Sequence, residues 1–169
     1  VLTLGDRDNV SIVQAGSGGS AQPMDTFGRL LRATKANKDL LGKAIDALEA
    51  TGQSNLHESF EEVFERLKYP EFEYDDVVPC NTAVLLFTNG QPKEEADLFS
   101  PDDDVNDDSK RVREEEDVIR LVSEKMENSG SYLFTYSVTD ADVDSDLPSR
   151  LACSIERGLW TQISSDISI

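Results

Sequence analysis

Four aspartates alternate with small or apolar residues in Asp140-Ala141-Asp142-Val143-Asp144-Ser145-Asp146, and alternating carboxylates are one way a chain gathers oxygen ligands around a hard divalent cation. The segment does not fit an EF-hand, because its sixth position is Ser145 rather than glycine, its twelfth is Leu151, and no helix leads in. It reads as an acidic solvated loop in which Asp140 and Asp142 are the candidate ligands of a weak Ca²⁺ site. Asp102-Asp103-Asp104-Val105-Asn106-Asp107-Asp108 reads as a second acidic loop, whose like charges repel unless cations screen them. His57, the only histidine, falls on the exposed side of a predicted helix, and no Ser or Cys pairs with it in a nucleophile motif. Gly16-Ser17-Gly18-Gly19-Ser20 lacks the Lys-Ser/Thr ending of a phosphate-binding loop and reads as a connection. Cys80 and Cys153 are too few for a disulfide framework and too far apart for a local zinc knuckle; one disulfide and two buried thiols both remain open.

The elements that must position these residues follow from hydrophobic period. Asn9 to Gln14 is β-branched and bounded by turn formers, which predicts a short strand. Leu40, Leu41, Ala44, Ile45 and Leu48 fall at helical spacing, with Gly52 as a stop. A second helix, capped by Ser54 or Asn55, places Leu56, Phe60, Val63, Phe64 and Leu67 on one face before Pro70. Thr82 to Thr88 is a continuous apolar run ending in Asn89-Gly90, the pattern of a central strand buried on both faces. A third helix runs from about Lys110 to Asn128 and stops at Ser129-Gly130. Tyr132 to Val138 is a strand, Leu147 to Arg157 a shorter helix before Gly158, and Leu159 to Ile163 a closing strand, which Trp160 packs against the sheet. Strands alternating with helices predict an α/β doubly wound fold with a mainly parallel sheet and helices on both faces, and functional groups just beyond the strand carboxyl ends.

Charge narrows the function classes. The chain of 169 residues carries 34 acidic and 16 basic side chains, a net of −18. Phosphate backbones and anionic lipid would be repelled, so no nucleic acid partner is expected. Glu71 to Asp117 alone holds sixteen acids and four bases, a local net of −12.

Leu86-Phe87-Thr88-Asn89-Gly90 at a strand end is similar to the "LFTDG" signature of von Willebrand factor A domains, with Asn in place of that family's Asp. Further stretches match in order: Ala33 to Lys38 leading into a helix, Gly52-Gln53-Ser54-Asn55 opening the next, Leu133 to Val138, and Leu151 to Gly158. Within the family the chain most resembles the A domain of the alpha-2/delta auxiliary subunits of voltage-gated calcium channels and their Cache-domain relatives, which share a run like Pro79-Cys80-Asn81 before the same strand. The resemblance spans roughly Val1 to Ile163 and implies one partial A-type domain over 1–169. It also implies a metal-ion-dependent adhesion site, where a cation such as Mg²⁺ takes about six oxygens, some from water and one from a partner's carboxylate. Ser54 aligns with the threonine of the family's second loop, and Asn89 with the aspartate of its third, where an acceptor is kept and a charge lost. The Asp-x-Ser-x-Ser first loop, which supplies most direct ligands, does not occur in a strand-to-helix context. Weak or absent binding of Mg²⁺ or Ca²⁺ by this chain alone is therefore expected.

In the family the first strand lies in mid-sheet, and its absence would leave unpaired edges. The expectation is that another segment or another chain supplies it, and that this chain is a fragment of a larger polypeptide or is completed by a partner. The resemblance implies a non-catalytic protein-interaction module, extracellular or at the cell surface and membrane-associated, whose partner is a channel subunit or another membrane or extracellular protein. The alternative is a structural subunit of a larger assembly with a degenerate metal site. No nucleophile, base and oxyanion arrangement is legible, so no enzyme is expected.

Overall fold

A computed structural model of the chain describes residues 3–15, 21–23, 30–49, 55–68, 81–88, 107–139 and 146–164, which divide into two compact units, Val1–Val77 and Val78–Ile169.

In the first unit, β1 (Asn9–Val10) pairs antiparallel with β4 (Leu31–Arg32), and β2 (Val13–Ala15) pairs antiparallel with β3 (Ala21–Pro23). The single strand predicted over Asn9 to Gln14 is thus two strands in two separate ladders, and β3 and β4 had no alternating run to announce them. Helix α1 (Lys35–Asp46) starts where the Thr34 hydroxyl accepts a hydrogen bond from the Asn37 N–H at 3.3 Å. Of its apolar stripe only Leu41 is buried, while Leu40, Ile45 and Leu48 are exposed. Helix α2 (Leu56–Lys68) packs on β2 and β3 and buries Phe60 and Phe64, whose rings stack 6.1 Å apart. Its buried set also includes Arg66, which donates from Nε to Glu62 at 2.7 Å and from Nη1 to the Ser11 hydroxyl. That pairing lets a cation sit in a place that apolar periodicity does not signal.

The second unit is a three-stranded parallel sheet in the order β5 (Ala83–Thr88), β6 (Tyr132–Thr139), β7 (Gly158–Ser164). Register runs from Ala83 opposite Tyr132 to Thr88 opposite Ser137, and from Leu133 opposite Gly158 to Thr139 opposite Ser164. The connections carry α3 (Asp107–Ser129) and α4 (Asp146–Cys153). Asp107 and Asp108, read as loop, are helical. Helix α3 stops at Gly130, whose φ of 63° lies in the left-handed region that favours glycine. The predicted Leu147 to Arg157 helix ends at Cys153, because Ile155, Arg157 and Gly158 turn the chain directly into β7. Gly158 is required there: a Cβ would stand 1.9 Å from the Ala152 carbonyl oxygen.

Helix α4 packs on β6 and β7, and α3 lies beside α4. Arg150 and Glu115 join them at 3.0 Å, as do the Ser123 and Ser154 hydroxyls at 2.9 Å. Val118, Val122, Met126, Leu147 and Leu151 are buried, together with Val84, Leu133, Thr135 and Ser137 of the sheet. Two predictions fail here. Strand β5 is not buried on both faces, since Leu85 is 53% and Phe87 61% exposed. Nor is it central among the described strands, where it pairs only with β6. Continuous apolarity reported a strand that is hydrophobic on both sides, and only one side is covered.

Candidate functional site

Strands β5 and β6 run parallel in register, so Thr88 and Thr139 deliver the chain to the same end of the sheet. Asn89 and Asp140 are the next residues in sequence. In a parallel sheet the carboxyl end is where ligands are received, because it is there that successive loops converge. Ser54, Asn89, Asp140 and Asp142 themselves lie outside the described residues, as do Gly16 to Ser20, Asp102 to Asn106 and Cys80. The structure therefore fixes only what flanks these candidate ligands.

The flank of Ser54 is defined by α2. Asn55, not Ser54, caps the helix: its Oδ1 accepts from the Glu58 N–H at 3.1 Å, and its carbonyl accepts from the Ser59 N–H at 3.1 Å and hydroxyl at 2.6 Å. Of the two predicted caps, one is taken. His57 stands on the same helix, its side chain 44% exposed with Nδ1 3.8 Å from Glu61.

Among the described residues no group of three or more His, Cys, Asp or Glu side chains comes together to hold a metal ion. The four sequence candidates are all oxygen donors, which suits Mg²⁺ or Ca²⁺, but two of them, Ser54 and Asn89, are neutral. They fall short of a full coordination shell. Cys153 is a free, exposed thiol, which overturns the reading of both cysteines as buried.

The surface that sequence reasoning missed is the second face of the sheet. It carries Leu85 and Phe87 from β5, Tyr132 and Val138 from β6 and Leu159 from β7, all exposed. Phe87 stacks on Tyr136 at 4.7 Å, and the Arg157 guanidinium lies 5.4 Å from the Tyr132 ring centre. The signal was present in the period-2 pattern of β6, where aromatic residues at 132, 134 and 136 alternate with Leu133, Thr135 and Ser137.

These features define a mixed α/β protein with a three-stranded parallel sheet and four helices among the described residues. The chain is similar to the voltage-dependent calcium channel subunit alpha-2/delta-2 of Homo sapiens, Mus musculus and Rattus norvegicus, at 28% identity over 97 residues in each case. The aligned stretch is 57% of this chain and 8% of each relative's length, so the chain spans a small part of those proteins. No family model matches the chain. No helix among the described residues is long and apolar enough to cross a membrane.

Proposed function

We propose that the chain forms part of a von Willebrand factor A-like interaction module of a membrane-associated or extracellular protein related to alpha-2/delta channel subunits. The similarity to the alpha-2/delta-2 subunits carries this reading. It is supported by the position of Leu86-Phe87-Thr88 at the end of a parallel strand, directly before Asn89-Gly90, which is where the A-domain signature belongs. Partner contact falls to the segments that leave the carboxyl ends of β5 and β6. Asn89, Asp140 and Asp142 serve there as oxygen donors to a bridging Mg²⁺ or Ca²⁺, completed by donors from another segment or chain. Among the described strands β5 pairs only with β6, and its other edge accepts the strand that the family places in mid-sheet.

The partner is a subunit of a voltage-dependent calcium channel. Co-expression of the tagged chain with such a channel, followed by purification with and without EDTA, tests this. Channel recovered with the chain, and lost on EDTA or in Asp140→Ala/Asp142→Ala, is the expected result. Recovery indifferent to EDTA and to these changes would favour the second reading, a structural role with a degenerate metal site, which the uncharged Asn89 supports. No recovery at all would overturn the channel partner.

A further inference from the structure

We infer that Asn9 is an acceptor for an N-linked glycan, an inference that rests on the extracellular reading proposed above. Of the seven asparagines in the chain, Asn9 alone opens an Asn-x-Ser/Thr triplet, Asn9-Val10-Ser11. The register of its strand carries the inference. Strand β1 is held against β4 by the pairs Asn9 with Arg32 and Val10 with Leu31. Side chains directly opposite one another across an antiparallel ladder stand on the same side of it. Leu31 is buried and Arg32 exposed, so Val10 shares the covered side and Asn9 the side that Arg32 occupies. Asn9 is itself half-buried, and its carboxamide hydrogen-bonds to none of the described residues. Asparagine is disfavoured in strands, and neither the ladder nor a side-chain hydrogen bond among the described residues asks for it at this position.

The local backbone holds the residue on a fixed platform. Gly5 to Asp8 are exposed and form a turn, closed by the Asp8 N–H on the Gly5 carbonyl at 3.0 Å and the Gly5 N–H on the Asp8 carboxylate at 2.7 Å. The Ala33 N–H, donating to the Asp8 carbonyl at 2.8 Å, ties that turn to the ladder. In the transfer, Asn9 Nδ2 attacks the anomeric carbon of an oligosaccharide carried on a polyprenyl pyrophosphate, in the active site of a membrane-bound transferase. An N–C bond forms, the bond from that carbon to the pyrophosphate oxygen breaks, the pyrophosphate leaves with the electron pair, and one Nδ2 proton passes to a base of the transferase. The transferase also reads the hydroxyl of the triplet's third residue. In the folded chain the Ser11 hydroxyl accepts from Arg66 Nη1, a residue 55 positions further on. Transfer therefore precedes the packing of α2 and does not depend on what packs later. Folding around a bulky, hydrated glycan does require the Asn9 side of the ladder to stay in water.

The full chain is expressed in mammalian cells behind a cleavable secretory leader, so the test of the acceptor does not depend on the chain's own route. Cell lysate and medium are both analysed, so the result is read whether or not a variant folds. The expected result is a single mobility shift that peptide N-glycosidase removes, leaving position 9 deamidated in the released peptide, and that is lost in Asn9→Gln. Ser11→Thr keeps the hydroxyl and should keep the shift, whereas Ser11→Ala should abolish it. No shift, or a shift that persists in Asn9→Gln, would overturn the inference. So would a modified chain retained in the cell while Asn9→Gln is secreted, because the Asn9 side of the ladder would then be covered in the finished fold. Occupancy at Asn9 without recovery of a channel would strike the channel partner and leave the acceptor standing; a channel recovered with Asn9 unmodified would do the reverse.

Discussion

Adjacent residues of β6 meet opposite environments. Leu133, Thr135 and Ser137 are buried on the side where α4 packs, and their polar atoms are answered: Thr135 donates to the Pro148 carbonyl at 2.9 Å, and Ser137 accepts from Trp160 Nε1 at 3.0 Å. Tyr132 and Val138, on the other side, remain exposed. Burial in this sheet is thus set by which side the crossover helices take, not by which side is more hydrophobic. Polar groups can be accommodated under a helix when each finds a partner, whereas apolar groups on the open face leave their transfer energy unrealised.

Truncation at equivalent leucines sharpens that contrast most. Leu133→Ala removes a fully buried side chain and is expected to destabilise the second unit by about 2–5 kcal/mol through lost transfer energy and the residual cavity. Urea unfolding followed by the fluorescence of Trp160, the sole tryptophan and a residue of β7, reads this directly. A loss below about 1 kcal/mol would mean that the helices do not seal this side in solution.

Gly158→Ala comes next. The added Cβ meets the Ala152 carbonyl at 1.9 Å, and because the obstacle is backbone, either α4 or the start of β7 must move. Overpacking of this kind costs about 1–3 kcal/mol. Gly42→Ala is the counter-case, since nothing lies within 4 Å of its added Cβ in mid-α1, and there the helix should gain up to about 1 kcal/mol. Circular dichroism melts of the two variants should therefore shift in opposite directions; a shared direction would contradict the packing around Gly158.

The covered side of the second unit was legible in the sequence and the open side was not. The Val84, Leu133 and Leu151 pattern, the stop at Gly130 and the parallel βαβ alternation all read correctly, because each is a local signal of period or cap. Thr82 to Thr88 gave the right strand and the wrong surroundings: apolarity on both sides of a strand states a need for cover and does not supply it. In the first unit, β4 and β1 are two-residue ladders, too short for period to register. Arg66 was invisible as a buried residue because its partners, Glu62 and Ser11, include one distant in sequence. At the candidate site, the cap of α2 and the strand ends before Asn89 and Asp140 were readable from cap chemistry and strand length. Ser54, Asn89, Asp140 and Asp142 were assigned through the resemblance and loop composition, and they lie outside the described residues.

Smallest in magnitude, and most discriminating for the open face, is Leu159→Ala. The same methyl groups are deleted as at Leu133, but from a side chain 57% exposed, one strand away and on the opposite side. Little area returns to water and no closed cavity forms, so the expected change lies within about 0.5 kcal/mol in the chain alone. Urea unfolding of Leu159→Ala beside Leu133→Ala reads this difference. A large loss in the free chain would show that something within the chain already covers β7, and the two sides of the sheet would no longer differ in kind.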